Sequence, residues 1–284
     1  MQAYMRTRSP SLTFADVEAK QALQWTMASG NTHAVQFVIS QQGDDWVIDW
    51  NAMILVAARG GHMHIVQLVI DKGADDWNGG LWGAARGGHM HIVQLMIDKG
   101  ANDWHGGFSD AALGGWMDIV QIMIDRGANQ WDHGLAKAAH GGHMPIVQFM
   151  IDKGANDWNL GLCAAAHGGQ MHVVLLMIDK GANSWNYGLG GAIGGGHVDI
   201  VQLMIDKGAD GWNDGLLVAS KGGHAEIVQR MIDRGATKWE TNAIDLLSQP
   251  QHKCRVQQLF HSRRVSRELF AQHDKHACFL TWID

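Results

Sequence analysis

Along most of this chain the apolar residues fall into two alternating phrases. One reads Leu-x-x-Ala-Ala, as at Leu81, Ala84 and Ala85. The other reads Ile-Val-x-Leu-Met-Ile, as over residues 92–97. The i, i+3, i+4 spacing of the first puts small apolar side chains on one face of a helix and lets helices approach closely. The second places apolar residues at i, i+1, i+3, i+4 and i+5, a stripe wide enough for a helix buried on most sides. Glycine separates the phrases. Gly-Gly ends the first, one of the pair suited to the left-handed conformation just past a helix C-terminus. Asp-Lys-Gly or Asp-Arg-Gly ends the second, with its cation where the helix dipole favours it. The pattern predicts pairs of short helices that cannot stand alone and are stabilised by stacking.

The phrases recur on a fixed period. Tryptophans stand at 50, 77, 104, 131, 158, 185, 212 and 239, each 27 residues after the last. Seven full units therefore run over 50–238, with the consensus W-N-x-G-L-x-x-A-A-x-G-G-H-M-x-I-V-Q-L-M-I-D-K-G-A-N-D. Such regularity marks a solenoid in which each unit contacts its neighbours. The Asn or Asp after the Trp is expected to cap the first helix. Residues 22–43 keep the skeleton in degenerate form, and from Trp239 an eighth unit decays through TNAIDLLSQP, with 254–260 as its second helix. The chain divides accordingly: 1–49 as an N-terminal segment with a degenerate capping repeat, 50–238 as the array, and 239–284 as a C-terminal cap and basic helical tail. End units diverge because one of their faces meets water.

Leu81, Ala84, Ala85, Gly88, His89, Ile92, Val93, Gly100 and Ala101 carry a resemblance to the ankyrin repeat, L-x-x-A-A-x-x-G-H-x-x-I-V…G-A. The resemblance covers 50–238. It implies an all-α, ankyrin-like solenoid of roughly nine stacked helix-turn-helix pairs, degenerate ends included. Family repeats are about 33 residues long, so each unit here is shorter. The deletion falls where the family builds its β-hairpin fingers, which should be shortened or absent. The short Trp-containing form is similar to arrays of large DNA viruses of amoebae, such as the marseillevirus group, which implies a viral protein acting in a host cell.

Composition narrows the chemistry. The 36 Gly, 13 Trp and 17 His against 3 Pro follow from one phrase copied many times. Cys163, Cys254 and Cys278 form no C-x-x-C pair, which suits a reducing, intracellular setting, cytoplasmic or nuclear. The first residues hold no signal-peptide run, and no stretch approaches the ~18 apolar residues of a membrane span. Histidines recur after Gly-Gly at 62, 89, 143, 197 and 224, with a second at 64, 91 and 172. Stacked units would set these rungs roughly 10 Å apart, too far to share a metal that needs bonds of about 2 Å. Residues i and i+2 should also point to different sides of a helix. The ladder therefore reads as structural, bonding free backbone groups, with no metal or cofactor expected. The Trp ladder is expected to pack between units, its indole N–H on a carbonyl of the preceding turn. Base stacking would want basic surroundings, whereas 50–238 hold 13 Lys and Arg against 18 Asp and Glu, a net of −5. The Asp of D-K-G recurs in every unit, as a scaffold residue does. No nucleophile elbow, H-E-x-x-H or phosphate loop is present, and the expectation is a non-enzymatic protein. The glycine-rich run 188–196 reads as a loosened sixth unit, Gly190, Gly191 and Gly194 replacing side chains.

Function is sought where the units differ. Two residues after each Trp stand Ala52, Gly79, Gly106, His133, Leu160, Tyr187 and Asp214. Six after stand Val56, Gly83, Asp110, Lys137, Ala164, Gly191 and Val218. Nine after stand Arg59, Arg86, Leu113, His140, His167, Gly194 and Lys221. The i, i+4, i+7 spacing puts these positions on one face of the first helix. By the resemblance, that face lines a concave groove for a protein partner, and the many small residues would admit a helix or tail. Expected contacts are Arg59, Arg86, His140, His167, Lys221 and Tyr187, with Lys137 and His133 beside them. The tail KCRVQQLFHSRRVSR carries Lys253, Arg255, Arg263, Arg264 and Arg267 without an acid. It caps the array or, as an alternative, contacts nucleic acid, though the acidic body makes nucleic acid the lesser partner. A structural or virion protein forming homodimers through its caps is the other alternative.

Overall fold

A computed structural model describes residues 14–40 and 48–236 of the chain. All regular structure among them is helical, and no strand occurs. The chain forms two compact units, one through Asn156 and one from Asp157. The basic tail, the C-terminal cap and the competition between Trp46 and Trp50 for the marker position lie outside the described residues.

In the first unit the helices are α1 (Phe14–Ala28), α2 (Thr32–Ser40), α3 (Trp50–Gly60), α4 (Met63–Asp71), α5 (Trp77–Gly87), α6 (Met90–Asp98), α7 (Trp104–Gly114), α8 (Met117–Asp125), α9 (Trp131–Gly141) and α10 (Met144–Asp152). Each forms a pair with its neighbour in sequence. The first helices stack in order, α1 on α3, α3 on α5, α5 on α7 and α7 on α9. The second unit repeats the arrangement with α11 (Trp158–His167), α12 (Met171–Asp179), α13 (Trp185–Gly195), α14 (Val198–Asp206), α15 (Trp212–Lys221) and α16 (Ala225–Asp233). There α11 packs on α13 and α13 on α15. Each unit is thus a repeat-like, solenoid-type stack of helix pairs. The segments between pairs, where a hairpin was expected to be lost, are bare turns such as 73–76. The N-terminal helix begins at Phe14, earlier than the repeat skeleton at 22 suggested.

The apolar phrases fill the core as their spacing requires. Leu81, Ala84, Ala85, Ile92, Val93 and Met96 are fully buried, as are most of their counterparts along the array, Val228 in the last described pair being only half-buried. Glycine three residues after the Trp has a specific use. A Cβ on Gly107 would lie 2.9 Å from Met123 Sδ, and Gly80, Gly134, Gly188 and Gly215 face the methionine of their own unit in the same way. Only a residue without a side chain leaves room for that methionine. The unit at Trp50 carries Met53 in the glycine's place and the smaller Val69 in the methionine's, both buried. The shorter valine leaves room beside it for a side chain at position 53, as a close-packed interior requires.

Helix ends correct one expectation. The cap is the residue before the Trp: Asp76 Oδ1 accepts from Gly79 N at 2.9 Å and Asp103 Oδ1 from Gly106 N at 3.0 Å. The first helix starts at the Trp itself, so the following Asn sits inside it and is free for another task. At the other end the second glycine of the pair turns left-handed, with φ of 79° at Gly61 and 81° at Gly88. The glycine-rich sixth unit is also regular. Helix α13 runs unbroken, and a Cβ on Gly191 would strike the Cys163 carbonyl of α11. That glycine allows close helix contact and does not loosen the unit.

Candidate binding face

The repeated polar residues are accounted for by bonds within the scaffold. His89 Nε2 lies 3.1 Å from Arg59 O, His143 Nε2 3.0 Å from Leu113 O, and His197 Nε2 3.1 Å from His167 O. Trp116 occupies the same place in its unit and its indole N–H donates to Arg86 O at 3.1 Å. A carbonyl only accepts, and an indole only donates. The ladder is therefore a set of N–H donors reaching back to the end of the preceding first helix, as the structural reading of the histidines held. The rings cover the left-handed glycine of that preceding unit: a Cβ on Gly115 would meet His143 Cε1 at 2.6 Å. The second histidines come closer than i, i+2 spacing suggested, with ring centroids 6.1 Å apart for His62–His64 and 6.4 Å for His89–His91. Among the described residues no group of three or more His, Cys, Asp or Glu is placed to hold a metal ion.

The Asn that follows most of the marker Trp residues ties the first helix to the turn that ends its own unit. Asn78 Oδ1 accepts from Asn102 N at 2.8 Å and Asp103 N at 2.9 Å, and Asn51, Asn159 and Asn186 do the same in their own units. Asp132 keeps the acceptor role, taking Asn156 N at 2.7 Å. The recurrent Asp of the second helix receives the Gln four residues earlier, as in Gln94 Nε2 to Asp98 Oδ1 at 2.7 Å. The marker Trp is half-buried. Its backbone N–H, not the indole expected from sequence, bonds the preceding turn, Trp77 N donating to Asp75 O at 3.0 Å. The cation that ends the unit covers the ring, with Lys99 Nζ 5.7 Å from the Trp77 centroid and Arg126 Cζ 5.5 Å from that of Trp104.

The varied positions behave differently. In the first unit, Arg59, Arg86 and His133 are exposed, and Lys137 and His140 are half-buried. Arg86 Nη1 stands 3.8 Å from Asp110 Oδ1, joining α5 to α7. Burial raises the Asp110 carboxyl above its ordinary range, and the positive charges of Arg86, Lys137 and Arg59 oppose that rise. Positive charge from α5, α9 and α3 thus acts on one carboxylate, with Arg86 alone in contact with it. A pocket of about 360 Å³, open to solvent, lies beside it, walled by Trp82 of α5, by Asp103 and Gln130 in the turns before α7 and α9, by His105, Gly106, Ser109 and Asp110 of α7, and by His133 and Lys137 of α9. Burial and then Lys137 push the His133 imidazole down, so the ring stays neutral near pH 7. Two nitrogens of this wall, Trp82 Nε1 and His105 Nδ1, are buried without a hydrogen-bond partner.

Sequence spacing found the cations of this site but missed Trp82, His105 and Ser109. The signal was present. Trp82 lies off the 27-residue phase, and the position five after the marker varies as widely as the chosen three: Leu55, Trp82, Ser109, Ala136, Cys163, Gly190 and Leu217. The expectation that small residues open a groove needs correction at position six. A Cβ on Gly83 would strike the Leu55 carbonyl, so Gly83, like Gly191, is used for contact between helices.

In the second unit, His167, Tyr187 and Lys221 are exposed, Tyr187 by 49%. Cys163 and Tyr187 are hydrogen-bonded to each other. Burial raises the Cys163 thiol, and the Cys163 charge together with burial raises the Tyr187 hydroxyl. Both stay protonated near neutrality, so Cys163 presents a thiol rather than a reactive thiolate. The eight sequence-predicted contacts therefore form two groups, five in the first unit and three in the second. Among the described residues no helix is long and apolar enough to cross a membrane. Compared with protein-family models the chain matches none, and comparison with curated proteins likewise finds no match.

Proposed function

We propose that this chain is a non-enzymatic, ankyrin-like interaction module whose first-helix face binds a partner protein. The observation that carries this reading is the division of labour among side chains. Residues that repeat are buried or bonded within the scaffold. Residues that change from unit to unit, Arg59, Arg86, His133 and Lys137 in the first unit and Tyr187, His167 and Lys221 in the second, share one helix face and reach solvent in full or in part. Stacked helix pairs hold such side chains in place before binding, so little ordering entropy opposes association. The L-x-x-A-A-x-x-G-H-x-x-I-V…G-A phrase and the left-handed glycine after each first helix support the ankyrin-like assignment, and the bare turns between pairs fit its shortened, finger-less form. The 27-residue Trp-containing form supports a viral protein engaging a host or viral partner inside the cell.

Affinity capture from the native cell tests the proposal. Wild type is compared with a variant carrying Arg59→Glu, Arg86→Glu and Lys221→Glu, each exposed and outside the core. The expected result is a protein retained by wild type and lost from the variant. An identical set of captured proteins would move attention to the tail over 253–267 and to self-association.

A further inference from the structure

We propose that the outer face of the N-terminal helix pair, α1–α2, binds the same face of a second copy of this chain through Trp25 and Phe37, making a two-fold dimer. The contact uses other residues than the partner-binding face described above and stands apart from it.

The register of the pair shows what these two side chains face. Gly30 is left-handed, with φ of 76°, beneath the His62 ring, as Gly61 is beneath that of His89. Counted from these glycines, Trp25 holds the place of Gly83, Lys137 and Gly191, and Phe37 that of Leu68 and Arg230. Inside the stack both places meet the preceding helix pair. A Cβ on Gly83 would strike the Leu55 carbonyl and one on Gly191 the Cys163 carbonyl. Arg230 Nη1 donates to Gln202 Oε1 at 2.9 Å. No described pair precedes α1–α2. Trp25 is 73% and Phe37 63% exposed, the highest values among the large apolar side chains described.

A terminal repeat ordinarily turns a polar outer face to water. This pair does the reverse. From Gln21 to Ser40 it holds no Asp, Glu, Lys or Arg, and His33 is its one titratable side chain. The charges of α1 are confined to its first half, at Asp16, Glu18 and Lys20. Ser40 and Gln41 stand where later second helices end in Asp-Lys or Asp-Arg, and Ala28 stands where α3 and α5 carry Arg59 and Arg86. Loss of charge with exposed aromatic side chains is the composition of an interface centre.

Two arguments make the occupant a second copy. A helix pair covers these two places everywhere else in the stack, so a helix pair is what they fit. Charge then selects the pair. The chain carries a net −6, so contacts between copies tend to bring like charges together, which is unfavourable. An uncharged face is compatible with itself. The last described pair, α15–α16, carries Asp214, Lys221, Glu226 and Asp233 and lacks that property. A contact that uses one face on both copies closes at two chains. Two rings of roughly 150–250 Å² each supply at most about half of the ~800 Å² per partner of a standard interface. The dimer is therefore expected to form at micromolar concentration and above.

Sedimentation velocity of the full chain over a concentration series tests this. The mass is expected to rise from that of one chain to that of two and to stop there. Added salt should not weaken the association, because no charge pair holds it. Trp25→Lys combined with Phe37→Arg is expected to weaken it at least tenfold. Lys137 and Arg230 already occupy these places in the array, so the helices accept both side chains, and circular dichroism checks the fold. Leu175→Gln removes another exposed apolar side chain and installs the Gln of the other units; it should leave the association unchanged. The variant with Arg59→Glu, Arg86→Glu and Lys221→Glu should also dimerise as wild type does, which separates this contact from the partner-binding face. A mass of one chain at every concentration would overturn the proposal, and a dimer that then appeared on deleting 1–13 would assign the face to that segment. Dimers indifferent to the Trp25 and Phe37 changes would lie on another surface, and a mass rising past two chains would mean head-to-tail contact. Either result contradicts the two-fold contact, as does an association abolished by salt.

Discussion

At the scale of single residues, the recurrent histidine is a hydrogen-bond donor first and a titratable group second. Trp116 makes the case, because it performs the same bond with a group that cannot accept or bind a metal. Substituting His89→Ala should therefore destabilise the contact between α5 and α3 by roughly 1 kcal/mol, whereas His89→Trp should retain it. Amide hydrogen exchange over residues 77–98 distinguishes the two, with faster exchange expected in the alanine variant alone. Asp110 is the residue whose charge works against folding. Its folded-state value lies above the unfolded one because burial disfavours the carboxylate. Its contribution is thus fully present below the unfolded value of about 3.9 and is lost as pH rises through the folded value. Asp110→Asn should raise the melting temperature at pH 7 and make stability less dependent on pH from about 4 upward. A lower melting temperature at pH 7 would mean that the ion pair with Arg86 outweighs the burial.

At the scale of elements, most of each helix could be read from the sequence, and the bonds between helices could not. Periodicity identified both helices of every unit from Trp50 to Ala236 because burial repeats with the helical period, and the left-handed glycines of Gly-Gly and of Asp-Lys-Gly or Asp-Arg-Gly marked the ends of the first and second helices. The task of the Asn after the Trp was hidden, since an Asn near a helix start fits capping by composition alone. It turned out to reach a turn 24 residues away, as Asn78 does to Asn102, and only the folded unit brings those groups together. Asn78→Ala should cost about 1 kcal/mol, and Asn78→Asp should be tolerated as Asp132 is in its own unit; urea unfolding followed by exchange in the 99–106 turn measures both. Packing has an equivalent test. Gly80→Ala forces a methyl into Met96 in a closed core, and overpacking of roughly 1–3 kcal/mol outweighs the helix propensity gained. Adding Met96→Val should restore stability, because the unit at Trp50 already uses a larger residue with Val69. Failure of that second change to rescue the first would show that the two positions do not share one volume.

At the scale of the molecule, one phrase builds the scaffold and the departures from it supply the chemistry. The face was legible because its positions vary on a fixed helical spacing. The pocket was not, because it depends on which residues of α5, α7 and α9 meet, and because Trp82 and Ser109 stand at a fourth varied position, five after the marker Trp, that the i, i+4, i+7 face does not include. Repetition had drawn attention to the histidines and the marker Trp, and the structure assigns those to the frame. The distinction predicts where a bound partner leaves its mark. The most direct measurement is amide hydrogen exchange of the full chain with and without the protein recovered by affinity capture. Protection is expected to concentrate in the first helices, above all α5, α7 and α9, with the second helices α6, α8 and α10 unchanged. Protection confined to the second helices, or to the tail beyond residue 238, would contradict the division between a repeating frame and a varied binding face.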